Sequence, residues 1–462
     1  MTDPALDTAL EKMRADGVPD VAVKTFAHYY ELLRAGATGT IAEADIEPVD
    51  ELPDAAALAD DEPGAADALA RTVVIKLNGG LGTSMGMTGP KSLLAVKDGL
   101  TFLDITVQQI RDLREHTGAR LPLVLMNSFA TRQASLEALV PYPDLPVDGV
   151  PADFLQSKVP KLTADDLTPA TWSDDPSLEW APPGHGDLYP SLLSSGLLEA
   201  LLDGGYRYAF VANVDNLGAV LDPRILAWFA RAEIPFLMEV ADRTAADRKG
   251  GHLARRSDGG LVLREIAQTP EEDVEAFQDT SRHRFFNTNT LWIDLRALAG
   301  VLDDRGGVLG LPMIVNRKTL DPADADSPAV IQLETAMGAA IDVFDGAQAI
   351  RVGRERFAPV KTTDDLLALR SDAYELTESG RIVLAATRTQ APLVELDPRF
   401  FKLVGDFEAR FAGGPPSLVQ AQRLTVRGDV AFGADVAVRG EVTVSHDGDE
   451  PLRIDDGTVL EG

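Results

Sequence analysis

The sequence predicts an α/β protein with a doubly wound, mainly parallel sheet and a C-terminal parallel β-helix. Two patterns carry this prediction. From about residue 70 to 375, short apolar runs alternate with segments of helical spacing, which is typical of βα units in a parallel sheet. After about residue 420, apolar residues recur every six positions, which is typical of stacked coils of strand.

The strands of the predicted sheet are runs rich in Val, Ile and Leu, and segments with helical spacing follow them. The predicted strands are 73–77, 121–126, 208–212 and 236–240. The predicted helices are 101–115, 191–202 and 224–231.

The chain before this region divides into two parts. Residues 4–34 carry apolar side chains at three- and four-residue steps, which predicts helices that dock on the main domain. Residues 38–69 are acidic, alanine-rich and interrupted by prolines, which indicates a solvated connection. We therefore expect a helical segment with its connection at 1–69, the main α/β domain at 70–385 and a β-helix domain at 386–462.

Two apolar series define the six-residue repeat in the tail. They are Leu424, Val430, Val436 and Val442, and Val426, Phe432, Val438 and Val444. Stacked coils with this period form a short β-helix, and the alternative is a β-meander with alternating inward residues. An uncovered terminal coil favours self-association into a homo-oligomer. The alternative is a tail that caps its own main domain in a monomer.

The charge of the chain limits its partners. The 462 residues include 43 basic and 73 acidic side chains, so the formal net charge is −30. This field repels polyanions and makes a nucleic acid or an anionic membrane an unfavourable partner, so any phosphate ligand needs a local basic cluster. The absence of cysteine excludes disulfides and thiolate chemistry. Without a signal-peptide pattern or a long apolar run, we expect a cytoplasmic location.

The strongest chemical signal is the glycine-rich stretch from Lys76 to Lys91, which directly follows a predicted strand. Glycines bring backbone N–H groups close to a phosphate, and a lysine neutralises it. The stretch is not a Walker A loop, because Pro90 separates Gly89 from Lys91. The same Gly-Pro pair interrupts the helix that a dinucleotide-binding motif requires, which disfavours an NAD(P) oxidoreductase. A structural turn is the remaining alternative.

The residues from Lys76 to Asp104, with Gly-Pro-Lys-Ser at 89–92, resemble the eukaryotic-type UTP–glucose-1-phosphate uridylyltransferase family, also called UDP-glucose pyrophosphorylases. The resemblance continues in the same order along the chain, at 154–157, 182–187, 213–218, 249–251, 286–292, 331–336 and 359–364. It implies a fold of the sugar-nucleotidyltransferase type with a C-terminal β-helix. It also implies Mg²⁺-dependent formation of UDP-glucose and pyrophosphate from UTP and glucose 1-phosphate.

The resemblance also assigns roles to individual residues. The implied nucleotide contacts are Leu77, Gly79, Gly80, Lys91, Gln156, Gly184 and Asn213. The implied sugar-phosphate contacts are His185, Gly251, Asn289 and Lys361. Lys91 and Lys361 are the implied catalytic lysines, and Asp215 is the implied metal ligand, whereas Asn287 is left with a structural role.

Elementary chemistry agrees with three of these roles. The amide of Gln156 both donates and accepts hydrogen bonds, as the imide edge of uracil requires. Asp215 follows a predicted strand, and open α/β sheets bind ligands at the carboxyl ends of their strands. Backbone N–H groups of the Gly-His-Gly loop at 184–186 favour an anion or a base edge. Taken alone, each residue also has a structural interpretation: a surface glutamine, an Asx turn or a buried histidine.

Two functional alternatives stay open beside UDP-glucose synthesis. The first is a pyrophosphorylase of broad UDP-sugar or N-acetylhexosamine specificity, although the segment Gly-Thr-Ser-Met-Gly at 82–86 matches the glucose branch. The second is a non-catalytic sensor of nucleotide sugars. The presence of Lys91, Asp215 and Lys361 disfavours the sensor.

Overall fold

The computed structural model describes residues 3–60, 62–244, 247–322 and 324–462. The helices of these ranges are α1 (Pro4–Ala15), α2 (Asp20–Arg34), α3 (Ala65–Leu69), α4 (Phe102–Thr117), α5 (Arg132–Leu139), α6 (Leu188–Ser194), α7 (Leu197–Asp203), α8 (Pro223–Arg231), α9 (Val274–Gln278), α10 (Leu295–Asp304), α11 (Thr363–Arg370), α12 (Pro398–Phe401) and α13 (Val404–Arg410).

The strands of the first half of the chain are β1 (Ile46–Pro48), β2 (Thr72–Asn78), β3 (Ala95–Lys97), β4 (Leu100–Thr101), β5 (Leu123–Asn127), β6 (Asp153–Leu155), β7 (Val159–Pro160), β8 (Leu162–Thr163), β9 (Trp180–Ala181), β10 (Tyr208–Asn213) and β11 (Phe236–Asp242). Those of the second half are β12 (His252–Arg256), β13 (Leu261–Arg264), β14 (Phe285–Asp294), β15 (Met313–Thr319), β16 (Ala329–Thr335), β17 (Gln348–Arg351), β18 (Tyr374–Leu376), β19 (Ile382–Leu384), β20 (Leu393–Leu396), β21 (Ser417–Arg427), β22 (Val430–Phe432), β23 (Ala437–Ser445), β24 (Leu452–Ile454) and β25 (Val459–Glu461).

The predicted elements of the main domain are present. The four predicted strands appear as β2, β5, β10 and β11, and each end lies within two residues of its predicted position. The single helix predicted at 191–202 is two helices, α6 and α7. The chain breaks there because Gly196 adopts a left-handed conformation with φ of 73°, which glycine adopts without steric cost.

The large sheet has parallel strands where the sequence predicts them. Its main path runs β1-β12-β14-β10-β2-β5-β6, and the four strands from β10 to β6 pair in parallel. The sheet is mixed as a whole, because β14 runs antiparallel to β10, β11 and β12. β14 is largely buried, so its apolar pattern gives no indication of its direction.

Helices cover both faces of this sheet, as the doubly wound prediction requires. Val73 and Ile75 of β2 pack in one apolar core with α6, α7 and α10, whereas Val74 packs in a second core with α4 and α8. Successive side chains of a strand point to opposite faces, so one strand contributes to both cores. A capping box of Thr101 and Asp104 begins α4.

The acidic segment at 38–69 is more than the solvated connection that its composition predicts. Residues Ile46–Pro48 form β1, which pairs antiparallel with β12 at one edge of the large sheet. Ile46 and Val49 are buried there. Glu43 accepts a hydrogen bond from the fully buried Arg264 at 2.6 Å. Its few apolar residues and several ion pairs, among them Glu43 with Arg264 and Asp54 with Arg351, therefore fix this segment to the sheet.

The tail forms two small parallel sheets. One has the order β20-β21-β23-β25 and the other pairs β22 with β24. Parallel pairing excludes the β-meander, whose neighbouring strands are antiparallel. Leu424 pairs with Val442, three six-residue periods later. The apolar residues of both predicted series are buried, apart from the half-buried Val444.

The tail shares a core with the region of the glycine-rich loop. Leu424 and Val426 belong to the same apolar cluster as Met85 of that loop, Ile105 of α4 and Val360 before α11. The C-terminal strands therefore support the main domain directly. Within the described ranges, no helix is both long enough and apolar enough to cross a membrane.

Replacing the buried Leu424 by alanine should destabilise the chain. Leu424 is completely buried, and a cavity of this kind typically costs about 2–5 kcal/mol of unfolding free energy. Urea unfolding measures the loss. The matched control is Leu393→Ala on the adjacent strand β20, where the side chain is 45% exposed. Equal losses for the two variants would contradict the packing of the tail described above.

Candidate active site

The candidate site lies where the four parallel strands end. β2 is followed by Gly79 and Gly80, β10 by Asp215 after one residue, and β6 by Gln156. The parallel register pairs Asn213 with Leu77 and Asn127 with Leu155, so these ends lie along one edge of the sheet. This confirms the expectation that Asp215 follows the carboxyl end of a strand.

A cavity of about 300 Å³ opens at this edge and contains nine of the predicted site residues. They are Leu77, Gly79, Gly80, Lys91, Gln156, Gly184, His185, Asn213 and Asp215. The other predicted residues, Gly251, Asn289 and Lys361, do not line this cavity. The structure therefore brings together the predicted nucleotide contacts, the predicted metal ligand and His185. It leaves the other predicted sugar-phosphate contacts outside this cavity, where Gly251 and Asn289 form a second group.

The only predicted lysine in the cavity forms an ion pair with the predicted metal ligand. Lys91 Nζ lies 2.5 Å from Asp215 Oδ2, and each side chain is about one-fifth exposed. The backbone N–H of Lys91 donates to the carbonyl of Gly80 at 3.1 Å, which closes the glycine-rich loop on itself. A cation and a carboxylate thus face each other at the edge of the sheet.

Gly79 leaves room for the side chain of Gln156. A Cβ atom at Gly79 would lie 2.5 Å from Gln156 Oε1, closer than real Cβ contacts come. The backbone N–H of Gln156 donates to the carbonyl of Asn127 at 2.8 Å. The amide is therefore held against the first glycine of the loop, and only a residue without a side chain allows this contact.

His185 enters the cavity as a neutral donor. Its Nδ1 accepts a hydrogen bond from the backbone N–H of Met337 at 3.0 Å, so Nε2 carries the proton. Burial lowers the pKa of His185 to about 4. At neutral pH this imidazole therefore offers one N–H group and no positive charge. Gly184 has φ of 79° and packs against the backbone of Thr335, so a larger residue would not fit there.

The second group contains Gly251, Asn287 and Asn289. The N–H of Asn287 donates to the carbonyl of Gly251 at 3.0 Å, and Asn287 Nδ2 donates to Asn289 Oδ1 at 2.9 Å. Asn289 has φ of 56°, and the register of β14 against β11 shifts at this point. Asn287 thus orients Asn289, which agrees with the structural role assigned to it.

Glu265 belongs to the second group but carries no sequence signal. Pairing of His252 with Arg264 places Gly251 opposite Glu265, whose carboxylate would collide with a Cβ at Gly251. Burial raises the pKa of Glu265, and the positive charge of Lys361 offsets only part of this rise. Only the register of β12 against β13 reveals this neighbour.

Lys361 is exposed at the start of α11. Its backbone N–H donates to Asp365 Oδ2 at 2.8 Å, within a capping box formed by Thr362 and Asp365. Its ammonium group lies 5.8 Å from the centre of the Phe357 ring. The helix begins at Thr363, and the segment before Lys361 is a 3₁₀ turn at Arg354–Arg356 followed by a loop.

The buried side chain of Asn216 joins the loop of Asp215 to the segment before Lys361. Asn216 Nδ2 donates to the carbonyl of Arg356 at 3.1 Å, and its Oδ1 accepts from the N–H of Ala358 at 3.0 Å. Arg356 is itself fixed by two hydrogen bonds to the fully buried Glu239. This connection fixes the segment before Lys361 relative to the loop that carries Asp215.

Lys76, the first lysine of the glycine-rich stretch, does not reach the cavity. It is 2% exposed, and its Nζ donates to the carbonyl of Ala219 at 2.8 Å. Burial lowers the pKa of Lys76 to about 7, because it removes water from around the ammonium group. It therefore braces the loop after β10 from behind the sheet.

The residues of the cavity fit a magnesium ion held jointly with a ligand. No group of three or more His, Asp or Glu side chains in the described part of the chain is arranged to hold a metal. Asp215 is the one carboxylate that lines the described cavity, and its Oδ1 has no hydrogen-bond partner there. Mg²⁺ is commonly held by one or two carboxylates together with phosphate oxygens and water. Asp215 would be the protein ligand.

The fold and the cavity together define a nucleotide-binding α/β protein of the sugar-nucleotidyltransferase class. A family model described as UTP–glucose-1-phosphate uridylyltransferase matches residues 23–439. The UTP–glucose-1-phosphate uridylyltransferase of Solanum tuberosum is 42% identical over 418 residues, covering 90% of this chain and 84% of that protein.

Solved structures agree with this assignment. A mutant UDP-glucose pyrophosphorylase from Leishmania major, crystallised with UDP-glucose, is 46% identical with a TM-score of 0.93 and covers 100% of this chain and 99% of that one. A UDP-glucose phosphorylase from Trypanosoma brucei is 48% identical with a TM-score of 0.91 and covers 99% and 98%. The chain belongs to the UTP–glucose-1-phosphate uridylyltransferase family, which confirms the resemblance found in the sequence.

Removing the Asn216 side chain should loosen the segment that leads to Lys361. Asn216→Ala deprives Ala358 N–H and the Arg356 carbonyl of their partner, a loss of about 1 kcal/mol for each typical hydrogen bond. Hydrogen exchange followed by mass spectrometry should show faster exchange at 356–361. Asn216→Asp keeps the acceptor and should have a smaller effect. Unchanged exchange in the alanine variant would contradict the proposed connection.

Proposed function

We propose that this chain forms UDP-glucose and pyrophosphate from UTP and glucose 1-phosphate. Membership of the family supports the reaction class. The observation that carries the proposal is the Lys91–Asp215 pair, which lies in one cavity with Gly79, Gly80 and Gln156. This arrangement combines a cation, a metal-binding carboxylate, a loop without side chains and an amide suited to a base edge.

The reaction needs no nucleophile from the protein. Glucose 1-phosphate already carries an anionic oxygen, which attacks the α-phosphorus of UTP in line with the departing pyrophosphate. The new P–O bond forms as the bond between the α-phosphorus and the leaving pyrophosphate breaks, so no covalent enzyme intermediate arises. Catalysis then consists of positioning and charge neutralisation.

The base and the phosphates would occupy opposite ends of the cavity. Gln156, held against Gly79, would pair with the imide edge of uracil, and Leu77, Gly184 and Asn213 would complete the nucleotide contacts. Gly80 and Lys91 would receive the triphosphate. The phosphate of UTP would compete with Asp215 for Lys91, and Mg²⁺ on Asp215 would neutralise charge on the phosphate oxygens.

The second group would hold glucose 1-phosphate. Asn289, oriented by Asn287, would offer an amide to a sugar hydroxyl, and Gly251 would let the ring approach its backbone. The space that a Cβ at Gly251 would fill is taken by the carboxylate of Glu265. Glu265 adds an acceptor at the same place. His185 would donate its Nε2–H from the nucleotide cavity, and Lys361 would contact the reacting phosphates.

The tail and the location of the protein add three further proposals. Pairing of residues eighteen positions apart supports a short β-helix, since it joins equivalent positions of successive turns. Self-association through this tail is supported by the last strand, β25, which pairs on one side with β23 and carries Val459 47% exposed. A cytoplasmic location is proposed from the sequence alone.

A panel of sugar 1-phosphates tests the reaction against its alternatives. With UTP and Mg²⁺, we expect pyrophosphate release with kcat/KM at least about tenfold higher for glucose 1-phosphate than for the galactose or N-acetylglucosamine compounds, since hydrogen-bonded hydroxyls discriminate strongly. Similar values across the panel would favour the broad-specificity enzyme. UTP binding without turnover of any sugar phosphate would favour the sensor.

The two proposed catalytic lysines should affect turnover far more than folding. Lys91→Ala and Lys361→Ala should each lower kcat by about 10²–10³, which is typical of one lost electrostatic contact in a transition state. Thermal unfolding should stay close to that of the unmodified chain. Lys24→Ala, an exposed lysine on α2, is the control. A folded variant at either position with near-normal kcat would disprove its role.

The preference for UTP over CTP should depend on Gln156. Cytosine reverses the donor and acceptor pattern of uracil, so Gln156→Ala should lower the ratio of the two kcat/KM values at least about tenfold. Gly79→Ala should have a similar effect, because its methyl group displaces the amide. Gly89→Ala is the control, since a Cβ there meets nothing within 4 Å. A ratio that survives Gln156→Ala would move base recognition elsewhere.

A further inference from the structure

Asp187 occupies a place that the proposed mechanism does not use. It is 4% exposed and ends the turn His185–Asp187, directly before α6. One oxygen, Oδ2, accepts the backbone N–H of Ser157 at 2.6 Å and the hydroxyl of Ser191 at 2.7 Å. Ser157 follows Gln156, so this single carboxylate joins the segment that carries the proposed uracil contact to the helix behind it.

Gln156 is thereby fixed from both sides. Its own N–H donates to Asn127 on β5, and the next N–H along the chain donates to Asp187. The turn that ends at Asp187 also carries Gly184 and His185 into the cavity. Asp187 therefore controls the distance between the two walls that the base would contact.

We propose that Asp187 is the positioning residue for base recognition, and that its ionised carboxylate holds Gln156 in the orientation that selects UTP over CTP. This inference rests on the proposed function, because it takes Gln156 as the group that contacts the base. Hydrogen bonds to an ionised acceptor are shorter and roughly twice as strong as neutral ones. Protonation of Asp187 weakens both of its bonds and frees the Gln156 segment.

The surroundings of Asp187 make this protonation accessible. Among the described residues, no lysine or arginine forms an ion pair with it, and burial raises the pKa of Asp187 to about 7 despite the hydrogen bonds from Ser157 and Ser191. Asp187 also lines a second, small cavity that is distinct from the candidate site. From α2, Tyr29 faces this second cavity, and burial raises the pKa of Tyr29 too. From β16, Glu334 faces it and pairs with Lys318.

The groups on the neighbouring turn and loop do not supply a counter-charge. His185 is neutral above a pKa of about 4, and Tyr189 donates its hydroxyl to the carbonyl of Met337. Lys158, on the segment after Ser157, is paired with Asp16. Asp187 is consequently ionised above about pH 7 and protonated below it, so discrimination should increase as pH rises through this value.

The ratio of kcat/KM for UTP to that for CTP, measured from pH 5.5 to 8.5, tests the inference. Both nucleotides carry the same triphosphate, so its titration cancels in the ratio. We expect the ratio for the unmodified chain to fall about tenfold as Asp187 becomes protonated, the difference between a charged and a neutral hydrogen bond. Asp187→Asn, which mimics the protonated form, should hold the ratio at its low-pH value throughout.

Ser191→Ala is the matched control. It removes one hydrogen bond to the carboxylate but keeps the titrating group, so the pH dependence should persist with its midpoint displaced upward. If Asp187→Asn fails to fold, the profile of the unmodified chain still decides, because a flat ratio across this range overturns the inference.

Two outcomes separate this inference from the proposed function. If Gln156→Ala lowers the ratio but Asp187→Asn retains the original ratio and its pH dependence, the role of Asp187 is overturned and the base assignment stands. If Gln156→Ala leaves the ratio unchanged, the base assignment fails and the inference fails with it. In the double variant, the effect of Asp187→Asn should disappear, since Asp187 acts only through Gln156.

Discussion

The parallel register of β2 and β10 is the constraint on which the rest of the site depends. It pairs Leu77 with Asn213, so the glycine-rich loop and the loop of Asp215 leave the sheet at the same point. The 2.5 Å contact between Lys91 and Asp215 follows from that coincidence. The neighbouring strands β5 and β6 extend the same edge and deliver Gln156, so a four-strand parallel unit brings the proposed base contact and the proposed phosphate contact into one cavity.

Two lysines of the glycine-rich stretch, Lys76 and Lys91, lie in different surroundings in this chain of net charge −30. Lys91 faces the cavity paired with the carboxylate of Asp215, which balances its charge, and in the proposed reaction a phosphate replaces that partner. Lys76 lies on β2 and its side chain is buried against one face of the sheet. Burial lowers its pKa to about 7, and its ammonium group donates to the carbonyl of Ala219. Two lysines of one motif thus differ in their contacts, because Lys76 lies on the buried strand β2 and Lys91 lies in the loop beyond it.

Much of the fold was predictable from sequence because strand and helix periodicity are local patterns, whereas most residues of the candidate cavity were predicted from the resemblance of short motifs to a known family. Strand periodicity located β2, β5, β10 and β11, and the glycine-rich stretch located the loop that lines the cavity. Glu265, Asn216 and Asp187 act through contacts that strand register and loop packing create. Glu265 lies outside the recognised motifs, and the motifs that contain Asn216 and Asp187 give no indication of the contacts these two side chains make. The edge strand β1 was likewise missed, since three residues in an acidic segment carry too little periodicity to indicate a strand.

A crystal structure of the chain with UTP and Mg²⁺ would show whether the nucleotide binds at this edge of the sheet, between Gln156 and the Lys91–Asp215 pair. We expect uracil against the Gln156 amide and the triphosphate along Gly80 and Lys91. Lys91 Nζ should have left Asp215 for a phosphate oxygen, and Asp215 should bind Mg²⁺. A nucleotide bound away from this edge of the sheet, or a triphosphate that leaves the Lys91–Asp215 pair intact, would contradict it.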